Sequence, residues 1–80
     1  MDKKYLAITG YRSHRELDAY LYDYAEILDT GTTREGVGWA VVEVPASRAD
    51  YQSDRMASGM IGSTVHMTAF GAAVHILDRI

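Results

Sequence analysis

Two histidines, two arginines and a run of carboxylates have types and spacings that bear on chemistry. His66 and His75 flank Phe70-Gly71. A hairpin turning there sets the two imidazoles opposite each other, about 5 Å apart. That is half of a divalent-metal site, with Glu43 or Asp78 as a third ligand. Two solvated histidines on a half-exposed sheet face are the plainer reading, and no metal or other cofactor is expected. Arg48 and Arg55 lie seven apart and share a helix face that would grip a phosphate, although Asp54 beside Arg55 points to a solvated salt-bridge face. Gly36-Val37-Gly38 precedes a strand rather than a helix, so it does not cradle phosphate. Ser13-His14 belongs to a helix cap, and the chain has no cysteine to serve as nucleophile or metal ligand. The expectation is a protein without enzymatic activity.

Ile27-Leu28-Asp29-Thr30-Gly31-Thr32 resembles the active-site signature of aspartic proteases, two apolar residues followed by Asp-Thr-Gly. The resemblance implies a homodimer in which two aspartates share one proton. It covers six residues, and the context differs, because a capped helix precedes the aspartate and no flap hairpin is apparent. The competing reading makes this segment a helix C-terminus with Gly31 as its left-handed stop.

The acids carry the leading functional expectation. Between Glu16 and Thr33 stand five acidic residues and no Lys or Arg, in a chain of formal charge −3. Read as one helix, this segment displays Asp18, Tyr22 and Glu26 at i,i+4 steps, with Asp23 and Asp29 nearby. Asp18, Tyr22, Asp23, Glu26 and Asp29 are therefore the expected partner-binding face, suited to a host protein or complex with a basic surface. The acidic balance argues against direct nucleic-acid binding. The alternative nucleic-acid or nucleotide-binding reading places Tyr5, Tyr11, Arg12 and Arg15 around the bases and phosphates. A structural homodimer is the third reading, motivated by the thin core of an 80-residue chain.

The elements that must position these residues begin with a strand over 4–9, where Leu6 and Ile8 face one way and Tyr5, Ala7 and Thr9 the other, closed by Gly10. Ser13-His14-Arg15-Glu16 forms a capping box. Leu17, Leu21, Tyr24 and Leu28 then predict a helix running to about Leu28. A loop follows over 30–36, with a short strand at Thr32-Thr33. Val37 to Val44 is the central strand, apolar on both sides and stopped by Pro45, the only proline. Trp39 is expected to anchor the fold, its truncation costing about 3–5 kcal/mol. A second helix spans about 48–58, capped by Ser47 and Asp50, with Ala49, Ser53, Met56, Ala57 and Met60 inside and breaks at Gly59 and Gly62. For 64–80 a hairpin and a helix both fit, with strand favoured for 64–69. The whole is a single α+β two-layer domain, a small mixed sheet of 3–4 strands with two helices on one face, in the order β-α-β-α-β.

Tyr51-Gln52-Ser53-Asp54-Arg55-Met56-Ala57-Ser58-Gly59-Met60 resembles helix-to-loop stretches of small bacteriophage proteins. The whole chain, small, acidic, cysteine-free and rich in tyrosine, is similar to phage accessory proteins, including anti-CRISPR proteins. That likeness implies a stoichiometric inhibitor of a host defence or nucleic-acid-handling complex. It assigns no residue a role. With no cysteine and no apolar leader at the start, a cytoplasmic location is expected. Met56 to Leu77 is 22 residues without Asp, Glu, Lys or Arg, but its two histidines, three glycines and hydroxyl groups make it a poor membrane span.

Overall fold

A computed structural model describes residues 2–79. Four strands and three α-helices follow one another as β1 (Lys3–Tyr11), α1 (His14–Tyr20), β2 (Glu26–Thr32), β3 (Gly38–Pro45), α2 (Ala49–Ser58), β4 (Gly62–His66) and α3 (Ala69–Arg79). The strands lie in the order β2-β3-β1-β4, and every neighbouring pair is antiparallel. The α+β class and the strand number match the sequence reading; the sheet is antiparallel rather than mixed. Order and alternation through β4 are those of the split β-α-β arrangement of ferredoxin-like domains, to which α3 is appended. Topology of this kind carries many unrelated functions.

Alternation along β1 and β3 builds two cores. Leu6, Ile8, Ala40, Val42 and Val44 face α1 and α2, whose Leu17, Ala49 and Met56 close over them together with Tyr11 and Ile61. Ala7 and Val41 face the other way, against Ala72 and Ile76 of α3, with Tyr5, Trp39 and Ala73 at the margin. The two helices expected on one face are there, and the third lies on the opposite face. β3 is buried on both sides, as its apolar run requires. At Gly10, with φ of +95°, the register of β1 slips, so the glycine forms a bulge inside the strand and does not end it.

The first helix departs most from expectation. Its N-terminus is as read: the Glu16 N–H donates to the Ser13 hydroxyl at 3.2 Å, and the Glu16 carboxylate reaches back to the Arg12 N–H. Its end is not at Leu28 but at Tyr20, and Leu21 is already extended. Gln52, fully buried in α2, explains the stop. Its Nε2 donates to the Tyr20 carbonyl at 2.7 Å, and its Oε1 accepts the Tyr22 N–H at 2.9 Å. One amide thus satisfies the helix-end carbonyl and the first exit N–H. Residues 26–32 are then free to pair with β3, which suits Ile27, Thr30 and Thr32.

Two further expectations fall, and one open question is decided. Ser47 caps nothing, because a short 3-10 turn (Ala46–Arg48) leads into α2. The inner stripe of α2 is Ala49, Gln52 and Met56, while Ala57 and Met60 are exposed. Of the two readings of the C-terminal segment the helix holds, with β4 ending at His66 and α3 starting at Ala69, as the weak turn propensity of Phe-Gly allows.

Replacing Gln52 with Leu should destabilise the fold by about 1–3 kcal/mol, since two backbone groups lose their partner. Urea denaturation monitored by circular dichroism reads this, and an unchanged midpoint would remove Gln52 as the clamp. Leu6→Ala, at a fully buried site, should cost about 2–5 kcal/mol. Trp39→Ala should cost less than Leu6→Ala, because the indole is only half-buried.

Candidate functional site

Because α1 stops early, the five expected partner-binding residues do not share a helix face. Asp18 is on α1, where its carboxylate lies 3.4 Å from the His14 imidazole. Tyr22 and Asp23 occupy the turn after α1, and Tyr22 packs on Tyr24 with ring centroids 5.4 Å apart. Glu26 and Asp29 belong to β2. The register sets Glu26 opposite Glu43 and Asp29 opposite Val41, on the α3 side of the sheet. The sheet therefore separates these two acids from Tyr22, whose N–H is held by α2 on the other side.

The Asp-Thr-Gly segment has a structural logic of its own. Thr30 faces the α1–α2 core, where its hydroxyl and that of Tyr11 converge on the Trp39 carbonyl at 2.9 and 2.6 Å. Gly31 lies beneath Trp39, so that a Cβ at this position would sit 2.6 Å from the indole. Asp29 faces α3 and accepts the Thr30 N–H on Oδ1 at 2.9 Å. The three residues thus hold a strand edge, cover a core and make room for an aromatic ring. The segment is a strand and not a helix C-terminus, which corrects the expected role of Gly31.

Between β2, β3 and α3 lies a cavity of about 180 Å³, lined by Asp29, Trp39, Val41, Ala73, Ile76 and Leu77. Five of its walls are apolar side chains, and Asp29 supplies the charge. A larger cleft of about 420 Å³ runs past Thr9, Thr33, Glu35, Val37 and Arg79 at the turn of the β2–β3 hairpin. Neither cavity was legible in the sequence, because both need α3 in place.

The outer face of α3 adjoins the smaller cavity through Leu77. Phe70, Val74 and Leu77 recur at i, i+4 and i+7 and are 79%, 39% and 69% exposed. Met67, just before the helix, is 74% exposed. Glu26, Asp29 and Glu43 lie on the same side of the sheet, and among the described residues none of them forms an ion pair.

His66 and His75 do meet, although not in a hairpin. Their ring centroids are 5.1 Å apart across β4 and α3, and the Thr64 hydroxyl is 2.7 Å from His66 Nε2. Among the described residues no group of three or more His, Cys, Asp or Glu is placed to hold a metal. The nucleic-acid constellation is not assembled. Tyr11 is buried in the α1–α2 core, whereas Tyr5 is on the α3 side, across from Glu43 and His66. Arg48 instead lies over the rings of Tyr24 and Tyr51, and Arg55 over Tyr20, at 5.2 to 5.9 Å. Among the described residues no helix is long and apolar enough to cross a membrane. Comparison with protein-family models, curated proteins and solved structures finds no match.

Burial, and secondarily the neighbouring His75, lower the pKa of His66 from its ordinary 6.5. The unfolded chain then binds this proton more tightly than the folded one, so the stability involved is complete above 6.5 and is lost as pH falls from there through the lower folded-state value. The urea midpoint should drop between about pH 7.5 and about pH 5.5, and His75→Gln should reduce the drop. Equal pH dependence in His75→Gln would show that the pair does not act on stability.

Proposed function

We propose that this chain is a non-enzymatic protein-binding inhibitor, and that it docks through the outer face of α3 and the carboxylates beside it. The observation that carries the reading is the exposure of Phe70 and Leu77 along one stripe of a helix whose other side is already buried in the fold. Large apolar side chains in a continuous exposed stripe mark interaction surfaces on small domains. Glu26, Asp29 and Glu43 flank the stripe with no ion-pair partner among the described residues, which selects a partner that is both apolar and basic. This moves the expected acidic surface from a helix to the β2 edge and replaces Tyr22 with Phe70 as the aromatic anchor. A host defence or nucleic-acid-handling complex is the proposed partner class, since such assemblies present basic surfaces, and the likeness to phage accessory proteins points the same way. Inhibition then consists of occupying that surface stoichiometrically.

The test is affinity purification from the native host with the parent chain, with Phe70→Ser plus Leu77→Ser, and with Glu26→Lys plus Asp29→Lys. Each serine substitution is at an exposed position and should change stability by no more than about 0.5 kcal/mol. The partner should be retained by the parent chain, lost with both double variants, and released from the parent by moderate salt. Retention by the serine variant at unchanged melting temperature would overturn the reading. Sedimentation of a Phe70-dependent dimer, with no partner retained, would assign the stripe to self-association instead.

A further inference from the structure

The cavity beside Leu77 is too small for a drug-sized or nucleotide ligand, whose pockets run to roughly 300–1,000 Å³. At about 180 Å³ it matches a single side chain or ring, since an apolar cavity of about 150 Å³ accommodates one benzene. Its chemistry narrows the occupant further. Trp39 lies over Gly31 on one side, and Val41, Ala73, Ile76 and Leu77 complete an apolar wall. Asp29 is the one charged lining residue. Its Oδ1 accepts the Thr30 N–H, while Oδ2 has no partner among the described residues. Glu26 and Glu43 sit one step along the same face of β2 and β3, so carboxylates gather beside the cavity. A flat aromatic wall with a carboxylate at its edge suits a planar cation on an aliphatic stem, which can stack on the indole and pair with the acid.

We infer that the cavity formed by Asp29, Trp39, Val41, Ala73, Ile76 and Leu77 receives an arginine side chain of the protein partner, the guanidinium pairing with Asp29 and the stem packing on Trp39 and Leu77. This rests on the docking reading, because Leu77 belongs to both the cavity and the exposed stripe, and it adds the residue type the partner must present. An arginine seated there is desolvated on its apolar stem and stays charge-paired at its tip, the arrangement that makes buried arginines anchors at interfaces. Ala73 marks the depth of the site, because a larger side chain there fills the space the stem would take.

The experiment uses the whole chain and needs no partner. Trp39 is the only tryptophan, so its fluorescence reports on the cavity directly. n-Butylguanidinium chloride, n-butanol, free agmatine and a blocked tripeptide with a central arginine are each titrated, with circular dichroism checking that the fold persists. n-Butylguanidinium and the blocked tripeptide should give saturable changes that n-butanol does not. Asp29→Asn should weaken both by about tenfold, and Ala73→Leu should abolish both. Equal binding of n-butanol, or no effect of Asp29→Asn, would reduce the site to a plain apolar cavity and overturn the assignment. Binding of agmatine with exclusion of the tripeptide would assign a small-amine site and overturn the partner arginine. No saturation by any probe overturns it as well. None of these outcomes touches partner retention by the Phe70 and Leu77 variants, so a failed pocket and a failed docking surface are separately visible.

Discussion

The buried amide of Gln52 sets where α1 ends, and much of the structure depends on that point. Its two hydrogen bonds hold the Tyr20 carbonyl and the Tyr22 N–H 30 to 32 residues away along the chain. The apolar periodicity of Leu17, Leu21, Tyr24 and Leu28 by itself favours one long helix. A helix continuing to Leu28 would absorb the segment that forms β2. The sheet would then have three strands, Trp39 would lose the Gly31 backbone beneath it, and the cavity would lose the wall that carries Asp29. A fully buried polar group is expensive unless both ends are satisfied, and here both ends are.

Strand β2 is a sheet edge, and its sequence shows how such an edge is kept from pairing further. A register shift between Ile27 and Asp29 bends the strand and leaves Leu28 partly exposed. Glu26 faces Glu43 directly, a like-charge pair that disfavours further stacking of strands at this corner. The opposite edge, β4, is only five residues long. These devices make strand addition an unfavourable mode of association and leave the helical surface of α3 as the accessible apolar ground.

What could be read from sequence divides along the length scale of the interactions. The capping box at Ser13 and Glu16, the alternation of Leu6 and Ile8, and the two-sided apolar run of β3 are local patterns, and each is realised. The end of α1 is not local, since it is decided by a glutamine that reads as an ordinary polar helix residue until its burial is seen. Its spacing from Ala49 and Met56, at three and four residues, was the available signal. The C-terminal segment was ambiguous for a related reason. Ala69, Ala72, Ala73 and Ile76 have helical spacing, and the pairing of His66 with His75 looked like a hairpin register, yet the helix brings those two rings together as well. The site residues fared unevenly. Glu26 and Asp29 lie on the proposed docking side, Asp18 and Tyr22 lie elsewhere, and Trp39, Phe70 and Leu77 were hidden by the assumption that apolar residues serve the core.

Helix α3 resolves that assumption by being apolar on two sides. Its inner side uses Ala72 and Ala73, small enough for the helix to lie close against Ala7 and Val41, beside the larger Ile76. The alanines bury little area, so the helix is held by their close approach and by the single large side chain of Ile76. Phe70 and Leu77, the side chains with the most apolar area to bury, point the other way. Were core stability the only demand on α3, the larger residues would be expected inside and the smaller ones outside, since burying a Phe or Leu side chain is worth about 1.5–3 kcal/mol and exposing it returns none of that. The inversion costs the fold stability it would otherwise have. Sequences that break a packing rule without a local gain tend to do so at functional surfaces, and here the break falls beside the apolar cavity that carries Asp29.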